Sequence, residues 1–518
     1  MNNKNVKFQL FCDLIPAYLS ESDKKMNILL CSMPNVVPQF SAKTWRAPNL
    51  AISSIAGNIR PHHKVYLADL VLKRNAMLSS IRNAIEEYKP DVVGLSAMTF
   101  QFDTARRIAG FIREEFRDVK IAVGGYHATL MYEEIANSRE AAPFDYIVRG
   151  EGESTFRELL DAIEGKSTWE AVSGLSYQHN GTFFHNHPRQ LEELDALCLP
   201  RRDARIWKGY IFSGKGLDMV ETSRGCTMTC NFCSMNRMYG RTFRVYRLER
   251  VMQDIANAKK NGARYIAFAD DNITLNVKRF ESLCDAIVAA GHNDLRYIVQ
   301  ASTAGIASSP VLAEKMASAG IQIVFLGIEN VSERNLNMMN KGNVMEKTKR
   351  AIEYLHRNNI LIVGGMIVGH PEDTEEDIAQ NFAYFDKANI DFYGEQIITP
   401  YPKTGMRDIL IKEGLVTNLD DYSRYNGFWA NVRTRQLSSD DLQFLRWKYR
   451  RRYSTFFKTT PVFKANFALV NLLRVLILRP FYRVKNFISS FYMTEHAIFK
   501  AEMKKLASMN NFFSESER

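Results

Sequence analysis

The sequence predicts an α/β protein in which a doubly wound parallel sheet precedes a partial (β/α)6 barrel and an α-helical, basic C-terminal region. Two observations support this prediction. Short apolar segments alternate with amphipathic segments in two successive series, as expected for parallel strands that are joined by helices. The chain also has 518 residues, enough for roughly three domains. We place the predicted parts at residues 26–165, 166–218, 219–405 and 406–518.

The composition narrows the class of protein. Apolar residues make up 46% and charged residues 24% of the chain, which is typical of a soluble globular protein and excludes a disordered chain, a collagen-like fibre and a coiled-coil rod. No apolar run of about 18 residues predicts a transmembrane helix, and the N-terminus lacks the pattern of a secretory signal. Seven cysteines are too few for a disulfide scaffold, so we expect a reducing, cytoplasmic location.

The first series of alternating segments begins at Met26 and predicts the doubly wound sheet. No G-x-G-x-x-G follows its first strand, so the usual dinucleotide-binding fold is not supported. The expected strands are residues 26–33, 63–70, 91–98, 119–125 and 144–150, and the expected helices are 47–59, 77–88 and 102–116.

Glycines, hydroxyls and acids follow three of these strands. Glycine lets a ligand approach the backbone, and open parallel sheets bind ligands at the carboxyl ends of their strands. The same residues also fit turns and a helix start, and a histidine here equally fits a cap or the core. The candidate ligand-contacting residues are Ser96, Thr99, Gly124, Gly125, Tyr126, His127, Glu151, Gly152 and Glu153.

The second series predicts the partial barrel. Residues 166–218 link it to the first domain and contain Asn180-Gly181 between two alternating segments, a strong hairpin signal. In parallel barrels the chemistry takes place at the carboxyl ends of the strands. The six expected strands are residues 217–223, 264–270, 296–302, 321–329, 360–369 and 391–399.

Three cysteines, Cys226, Cys230 and Cys233, stand directly after the first barrel strand with the spacing C-x3-C-x2-C. A loop this short can direct three thiolates at one point. Structural zinc normally takes four protein ligands, and no fourth Cys or His stands close by, whereas three thiolates suit a four-iron cluster with one open iron. The alternatives are three unrelated cysteines or a zinc site completed by a distant residue.

The segment CTMTCNFC at residues 226–233 resembles the signature of radical S-adenosylmethionine (SAM) enzymes. The resemblance implies a [4Fe-4S] cluster on the three cysteines with Phe232 beside it, SAM bound to the open iron, and a one-electron donor such as flavodoxin or ferredoxin. The pair Asp270-Asp271 stands where many members have Gly-Gly-Glu, and each strand-end residue could instead be a cap or a solvated acid. The implied SAM contacts are Asp270, Asp271, Gln300, Ser302 and Glu329.

The first domain, read with the barrel, resembles the cobalamin-binding domain that precedes the radical SAM barrel in one large subfamily. The resemblance covers about residues 26–400. Many cobalamin-binding domains carry Asp-x-His-x-x-Gly after their first strand, and its His ligates cobalt. Here that place reads Met33-Pro34-Asn35, and no Asp-x-His occurs in the sequence. The resemblance therefore implies a cobalamin that has neither its own base nor this His on cobalt.

Enzymes with this layout methylate poorly reactive carbons: one SAM yields a 5′-deoxyadenosyl radical, and a second SAM methylates the cobalamin. Relatives include hopanoid methylases, the anaerobic magnesium-protoporphyrin ester cyclase and tetraether ring synthases, and the last two form rings, so the layout does not fix the reaction. We expect a C-methylating enzyme with a hydrophobic, lipid-like substrate. A radical SAM cyclase and a cobalamin sensor without catalysis are the alternatives. Residues 421–439 line the substrate cavity or are ordinary packing.

The C-terminal tail carries most of the net charge of +11, because residues 441–518 hold 15 Lys/Arg and 5 Asp/Glu. Its apolar stretch 467–478 is interrupted by Arg474 and is too short to span a bilayer. Leucines, aromatic rings and basic residues together are typical of a helix that lies in the membrane interface, and a helix packed on the enzyme body is the alternative. We expect peripheral membrane contact through residues 455–518. We expect no nucleic-acid binding, because a tail this apolar would expose large apolar patches to water.

Overall fold

The computed structural model describes residues 25–34, 45–342, 344–453, 494–511 and 513. The chain divides into two units, formed by the described residues of Met1–Asn35, Pro48–Gly209 and Phe512–Arg518 and by those of Val36–Ala47 and Tyr210–Asn511. Each unit has its own, mostly parallel sheet, which confirms the predicted fold class.

The strands and α-helices of the described residues are numbered in chain order. The strands are β1 (Asn27–Ser32), β2 (Trp45–Arg46), β3 (Lys64–Asp69), β4 (Val92–Ser96), β5 (Lys120–Gly124), β6 (Tyr146–Val148), β7 (Leu175–His179), β8 (Thr182–His185), β9 (Ile211–Phe212), β10 (Lys215–Val220), β11 (Ser223–Arg224), β12 (Arg244–Val245), β13 (Tyr265–Phe268), β14 (Arg296–Ser302), β15 (Ile321–Glu329), β16 (Leu361–Val368) and β17 (Phe392–Ile397). The helices are α1 (Leu50–Asn58), α2 (Met77–Tyr88), α3 (Phe102–Glu115), α4 (Tyr126–Leu130), α5 (Tyr132–Ala136), α6 (Gly152–Ile163), α7 (Met235–Tyr239), α8 (Leu248–Lys260), α9 (Val277–Ala289), α10 (Thr303–Ala307), α11 (Pro310–Ser318), α12 (Glu333–Met338), α13 (Met345–Arg357), α14 (Glu375–Lys387), α15 (Gly405–Lys412), α16 (Ser439–Tyr453) and α17 (Glu495–Asn510).

The first sheet has the order β3-β1-β4-β5-β6-β7-β8, and its first five strands are parallel. These are the five strands expected from apolar runs. Their centres are buried, as in β1, where Leu29, Leu30 and Cys31 are at most 2% exposed, because helices cover both faces of such a sheet.

The expected hairpin forms as β7 and β8 around Asn180 and Gly181, whose positive φ angles of 50° and 79° suit the tight turn. It pairs antiparallel with β6. The hairpin therefore extends the first sheet, whereas the sequence placed it in a linker.

The second sheet has the order β17-β16-β15-β14-β13-β10-β9-β2. All six expected parallel strands are present. Two short antiparallel strands that the sequence did not predict, β9 and β2, extend one edge, where Trp45 packs edge-to-face on Phe212 at 5.0 Å. Because β17 and β2 remain the two ends, the sheet is an open, partial barrel in the part of the chain that the structure describes.

Apolar side chains on one face of this second sheet pack against one another, and their cluster contains no helix residue among the described residues. Since helices cover the outer face of a parallel barrel, this face is the concave inner one. Its buried members are Leu217, Tyr265, Ala267, Ile298, Ile323 and Leu361. The loops at the carboxyl ends of the strands border this apolar inner face, and the cysteines lie in the first of these loops.

Most of the basic, aromatic tail lies outside the described residues, including 454–493 with the apolar stretch 467–478. Two helices frame that gap, α16 and α17, and they pack on each other. None of the helices that the structure describes has the length and apolar character to cross a membrane.

Candidate functional site

The three cysteines lie in a loop that follows β10 and β11, and each is partly buried. The loop turns sharply at Gly225, whose φ is +86°. A Cβ at this position would lie 2.5 Å from the carbonyl oxygen of Thr242, so only glycine fits. The tight turn brings the first cysteine to the carboxyl edge of the sheet.

The spacing of the sulfur atoms tests which metal the loop can hold. Among the described residues, the only His, Cys, Asp and Glu side chains with three ligand atoms all within 4.8 Å of one another are His62, His63 and Glu164, so at least two of the three cysteine sulfurs stand more than 4.8 Å apart. Two thiolates on one zinc ion, each at about 2.3 Å, are at most about 4.6 Å apart. The loop therefore fits a cluster with separate irons and not a single zinc ion.

The environment of the thiols also fits a cluster. The backbone N–H of Met228 donates to Cys226 and that of Met235 to Cys233, and hydrogen bonds of this kind tune cluster sulfurs. Burial raises the pKa of Cys226 and Cys230, and that of Cys233 to about 12. The thiols are therefore protonated at neutral pH before a metal binds, and metal binding releases their protons.

Asp270 anchors the start of the cysteine loop. It is fully buried, and its carboxylate accepts hydrogen bonds from the backbone N–H of Thr222 at 3.0 Å, the Thr222 hydroxyl at 2.6 Å and the Ser223 hydroxyl. Burial raises the pKa of Asp270. Both of its oxygens therefore hold the start of the cysteine loop, and its expected contact with SAM remains a prediction.

Asp271 is the more accessible of the two acids. Its carboxylate accepts a hydrogen bond from the Gly225 N–H at 3.1 Å, and burial raises its pKa to about 6. Its charge acts on Cys226 and Cys233, so it stands beside the cluster position. Of the two predicted acids, Asp271 is therefore the one placed to meet a ligand there.

Asn231, inside the cysteine motif, joins this loop to the end of α12 and to the start of α15. Its backbone N–H donates to the Met339 carbonyl at 3.2 Å, and its side-chain amide donates to the Met338 carbonyl at 2.6 Å. Its own carbonyl accepts from the Met406 N–H at 3.0 Å. The sequence analysis did not single out Asn231, and only its position between Cys230 and Phe232 could have indicated this role.

Glu329 ends β15 and forms an ion pair with Lys341 at 2.8 Å, with both side chains largely buried. Glu329 has a positive φ of 68° beside a register shift between β15 and β16, a strained conformation that the surrounding contacts must hold. Its expected contact with SAM remains a prediction. Lys341 was missed because it lies in a loop between helices, where a lysine gives no sequence signal.

The remaining predicted SAM-site residues differ in accessibility. Gln300 is exposed although its strand is central in the sheet, and Phe232 is partly buried. The Ser302 hydroxyl accepts a hydrogen bond from the Gly305 N–H at 3.1 Å and lies 3.1 Å from the Thr274 hydroxyl. Ser302 thus caps α10, as the alternative interpretation of strand-end residues anticipated, while Gln300 is free to face a ligand.

Two tyrosines in the loops after β17 have different surroundings. Tyr401 lies where the charge of Cys233 acts on it, and burial raises its pKa to about 12, so it stays protonated. Tyr425 is fully buried and its hydroxyl donates to the Asn418 carbonyl at 2.5 Å. Within segment 421–439, Tyr425 is therefore packing, whereas Tyr422 and Trp429 remain partly exposed.

The glycine-rich edge of the first sheet has the expected backbone geometry. Gly125 has φ +98°, and a Cβ there would lie 2.5 Å from the Ala97 carbonyl oxygen. The Ala97 N–H donates to the Gly124 carbonyl at 3.0 Å. Gly150, at φ +73°, faces open space. This edge thus brings two strand ends together without side-chain bulk, which suits the approach of a broad, flat ligand.

The other predicted residues of this edge fall into two groups. His127 is 1% exposed and its ring packs against that of Phe102 with centroids 4.4 Å apart, and burial lowers the pKa of His127 to about 4. The structure therefore supports the core interpretation. Glu153 is also buried and accepts a hydrogen bond from the Ser54 hydroxyl at 2.7 Å, and Thr99 is buried as well. The residues that keep some exposure are Ser96, Gly124, Gly125, Tyr126, Glu151 and Gly152.

The buried group of His62, His63 and Glu164 lies before β3 and after α6, away from this edge. The Met26 N–H donates to Nδ1 of His63 at 3.3 Å, so Nε2 carries the proton of the neutral ring and is not available to a metal. Lys166 lies 3.0 Å from the Glu164 carboxylate. These contacts indicate a structural hydrogen-bonding cluster.

Comparison with known protein families agrees with both sites. The model of the B12 binding domain matches residues 46–160, and that of the Radical SAM superfamily matches residues 220–384. The chain is a radical SAM enzyme with an N-terminal B12-binding domain. The radical SAM domain implies a [4Fe-4S] cluster and SAM, and the B12-binding domain implies cobalamin.

The comparisons also found similar individual proteins. The chain is 29% identical over 436 residues to an uncharacterized methyltransferase of Pyrococcus horikoshii, covering 84% of this chain and 93% of the relative. It is 28% identical to the anaerobic magnesium-protoporphyrin IX monomethyl ester cyclase of Rubrivivax gelatinosus, covering 72% and 70%. The solved structure of the cobalamin-dependent SAM radical enzyme OxsB, with aqua-cobalamin and SAM bound, superposes with a TM-score of 0.68 at 15% identity, covering 98% and 89%.

Proposed function

We propose that this enzyme methylates an unactivated carbon of a hydrophobic, lipid-like substrate. The observation that carries the methyl-transfer part is the joint presence of a B12-binding domain and a three-cysteine radical SAM site, together with the full-length likeness to a methyltransferase. The lipid part rests on the composition of residues 455–518. When bound, the cofactors supply a 5′-deoxyadenosyl radical and a methyl group.

The side chains of the second unit would bind and orient these groups. Cys226, Cys230 and Cys233 hold the cluster, and Asp270 fixes the loop that carries them. Asp271 and Gln300 are accessible at the carboxyl edge and are suited to bind polar groups of SAM. The apolar inner face of the barrel excludes water. A radical reaction requires this exclusion.

For the first unit we propose cobalamin without a histidine on cobalt. At the end of β1, Met33 is 3% exposed, and Gln101 donates to the carbonyls of Met33 and Pro34 at 3.1 and 3.2 Å. The sequence has no histidine at residues 33–44, the segment that follows β1. The cobalamin's own base should also be off the cobalt, so the electron paramagnetic resonance (EPR) spectrum of the bound cob(II)alamin should show no nitrogen splitting. A resolved splitting would contradict the proposal.

We also propose a low-potential one-electron donor such as flavodoxin or ferredoxin, and peripheral contact of residues 455–518 with an anionic membrane. Vesicles of phosphatidylglycerol and phosphatidylcholine should sediment the full chain but not a chain that ends at residue 454. Equal sedimentation of both would remove the membrane argument and, with it, the main support for a lipid substrate.

The substrate class is tested with SAM that carries a trideuterated methyl group. The reconstituted enzyme is incubated anaerobically with the lipid fraction or the aqueous fraction of a cell extract, and labelled products are found by mass spectrometry. A trideuteromethylated lipid supports the proposal, and label confined to the aqueous fraction contradicts it. The second candidate, favoured by the likeness to the cyclase, predicts an unlabelled lipid that has lost two hydrogens.

A further inference from the structure

Lys341 is a largely buried cation at the carboxyl edge of the second sheet. Its Nζ lies 2.8 Å from the Glu329 carboxylate and 3.5 Å from the Gly327 carbonyl oxygen, and its side chain is 13% exposed. Burial alone would lower the pKa of Lys341, but Glu329 and Cys230 outweigh it and raise the pKa. The ammonium is therefore charged at neutral pH.

Three hydrogen bonds tie the segment that ends in Lys341 to the cysteine loop. Asn231 donates its backbone N–H and its side-chain amide to the carbonyls of Met339 and Met338, and the Asn340 side chain donates to the Thr229 carbonyl at 3.4 Å. The Lys341 N–H itself donates to the Leu336 carbonyl at 2.9 Å, which ends α12. These bonds fix the ammonium beside the residues that flank Cys230.

The charges around the thiols are mostly negative. Asp271 faces Cys226 and Cys233, and Glu329 faces Cys230. Lys341 is the cation whose charge acts on both Cys226 and Cys230 among the described residues. Its ammonium pairs with the Glu329 carboxylate and its charge also acts on these two thiols, so it would act on a negative charge that arrives on the cluster.

We propose that Lys341, paired with Glu329 and fixed by the contacts of its segment with the cysteine loop, is a positioning residue that favours the reduced state of the cluster. One electron from an external low-potential donor adds one negative charge to the iron–sulfur site, and no bond is made or broken in that step. A fixed cation in a poorly solvated site stabilises the added charge, and net charge is one of the properties that set cluster potentials. The inference rests on the radical SAM site and not on the identity of the substrate.

The test is an EPR-monitored redox titration of the reconstituted full-length enzyme without SAM, after iron and sulfide have been quantified. In Lys341→Met, the ratio of reduced to oxidised cluster at a fixed potential should fall roughly tenfold, and Lys341→Arg should restore it. Glu329→Gln keeps an oxygen acceptor for the ammonium but removes the neighbouring negative charge, so it should raise the ratio. Lys349→Met removes an exposed lysine that pairs with Glu346 and should change nothing.

Two results would overturn the proposal. One is an unchanged ratio in a fully loaded Lys341→Met enzyme. The other is a Glu329→Gln enzyme whose ratio is unchanged or lower, which decides the matter even where Lys341→Met fails to load its cluster. Neither result depends on methyl transfer, so a failed methylation assay and a failed titration remain distinguishable.

Discussion

Removal of the Asp270 carboxylate should loosen the cysteine loop. In Asp270→Ala, the buried N–H of Thr222 and the hydroxyls of Thr222 and Ser223 lose their acceptor. A buried donor without a partner costs about 1–3 kcal/mol, and hydroxyls can turn to other acceptors whereas the backbone N–H cannot. We expect about 3 kcal/mol of local destabilisation, which at 1.36 kcal/mol per factor of ten corresponds to roughly a hundredfold more frequent opening of the loop.

The assay is the rate at which an iron chelator bleaches the cluster absorbance of the reconstituted enzyme under anaerobic conditions. The matched control is Asp285→Ala, which removes an exposed carboxylate that pairs with Lys315 at 2.6 Å and should change the rate little, since exposed ion pairs contribute about 0–1 kcal/mol. If Asp270→Ala and Asp285→Ala release iron at the same rate, the anchoring role assigned to Asp270 is wrong.

Three further outcomes are expected. Gly125→Ala places a Cβ 2.5 Å from the Ala97 oxygen at φ +98°, so it should destabilise the first unit by about 3 kcal/mol or more; an unchanged melting curve and normal cobalamin retention would contradict this. Burial lowers the pKa of His127 from 6.5 to about 4, so the full stability is present above pH 6.5 and about 3 kcal/mol of the free energy of unfolding is lost as the pH falls towards 4. His127→Phe should reduce this loss of stability, as measured by urea unfolding, and an equal loss in the variant would refute the assignment. Cys230→Ala should abolish cluster loading and SAM cleavage while cobalamin binding persists, which equilibrium dialysis checks, and lost cobalamin binding would show that the two sites are not independent.

The parallel strands could be predicted because burial on both faces makes each of them a short apolar run, as in 91–98 and 321–329. The strands β2 and β9 have two residues each, too few to show any periodicity. The hairpin at Asn180-Gly181 was predicted from its turn residues. Its pairing partner was not, because the docking of a hairpin on a sheet edge leaves no local pattern.

The cysteines were found by their spacing, which is a local property of the chain. Asn231 and Lys341 were not, because their contacts join segments about a hundred and about a dozen residues apart, and only tertiary packing brings these together. For Asp270 and Ser302, the sequence position indicated a ligand contact but could not show their hydrogen bonds within the protein. They occupy strand ends, where ligands bind, but neighbouring backbone and hydroxyl groups take up their hydrogen-bonding capacity.

The central claim is that one SAM molecule supplies a radical and a second supplies the methyl group. The most direct measurement quantifies 5′-deoxyadenosine, S-adenosylhomocysteine and product together, by mass spectrometry, in an anaerobic reaction of the enzyme loaded with cluster and cobalamin. We expect equal amounts of all three compounds, and no S-adenosylhomocysteine when cobalamin is left out. Deoxyadenosine formed with product but without S-adenosylhomocysteine would contradict methyl transfer and identify a radical reaction of another kind.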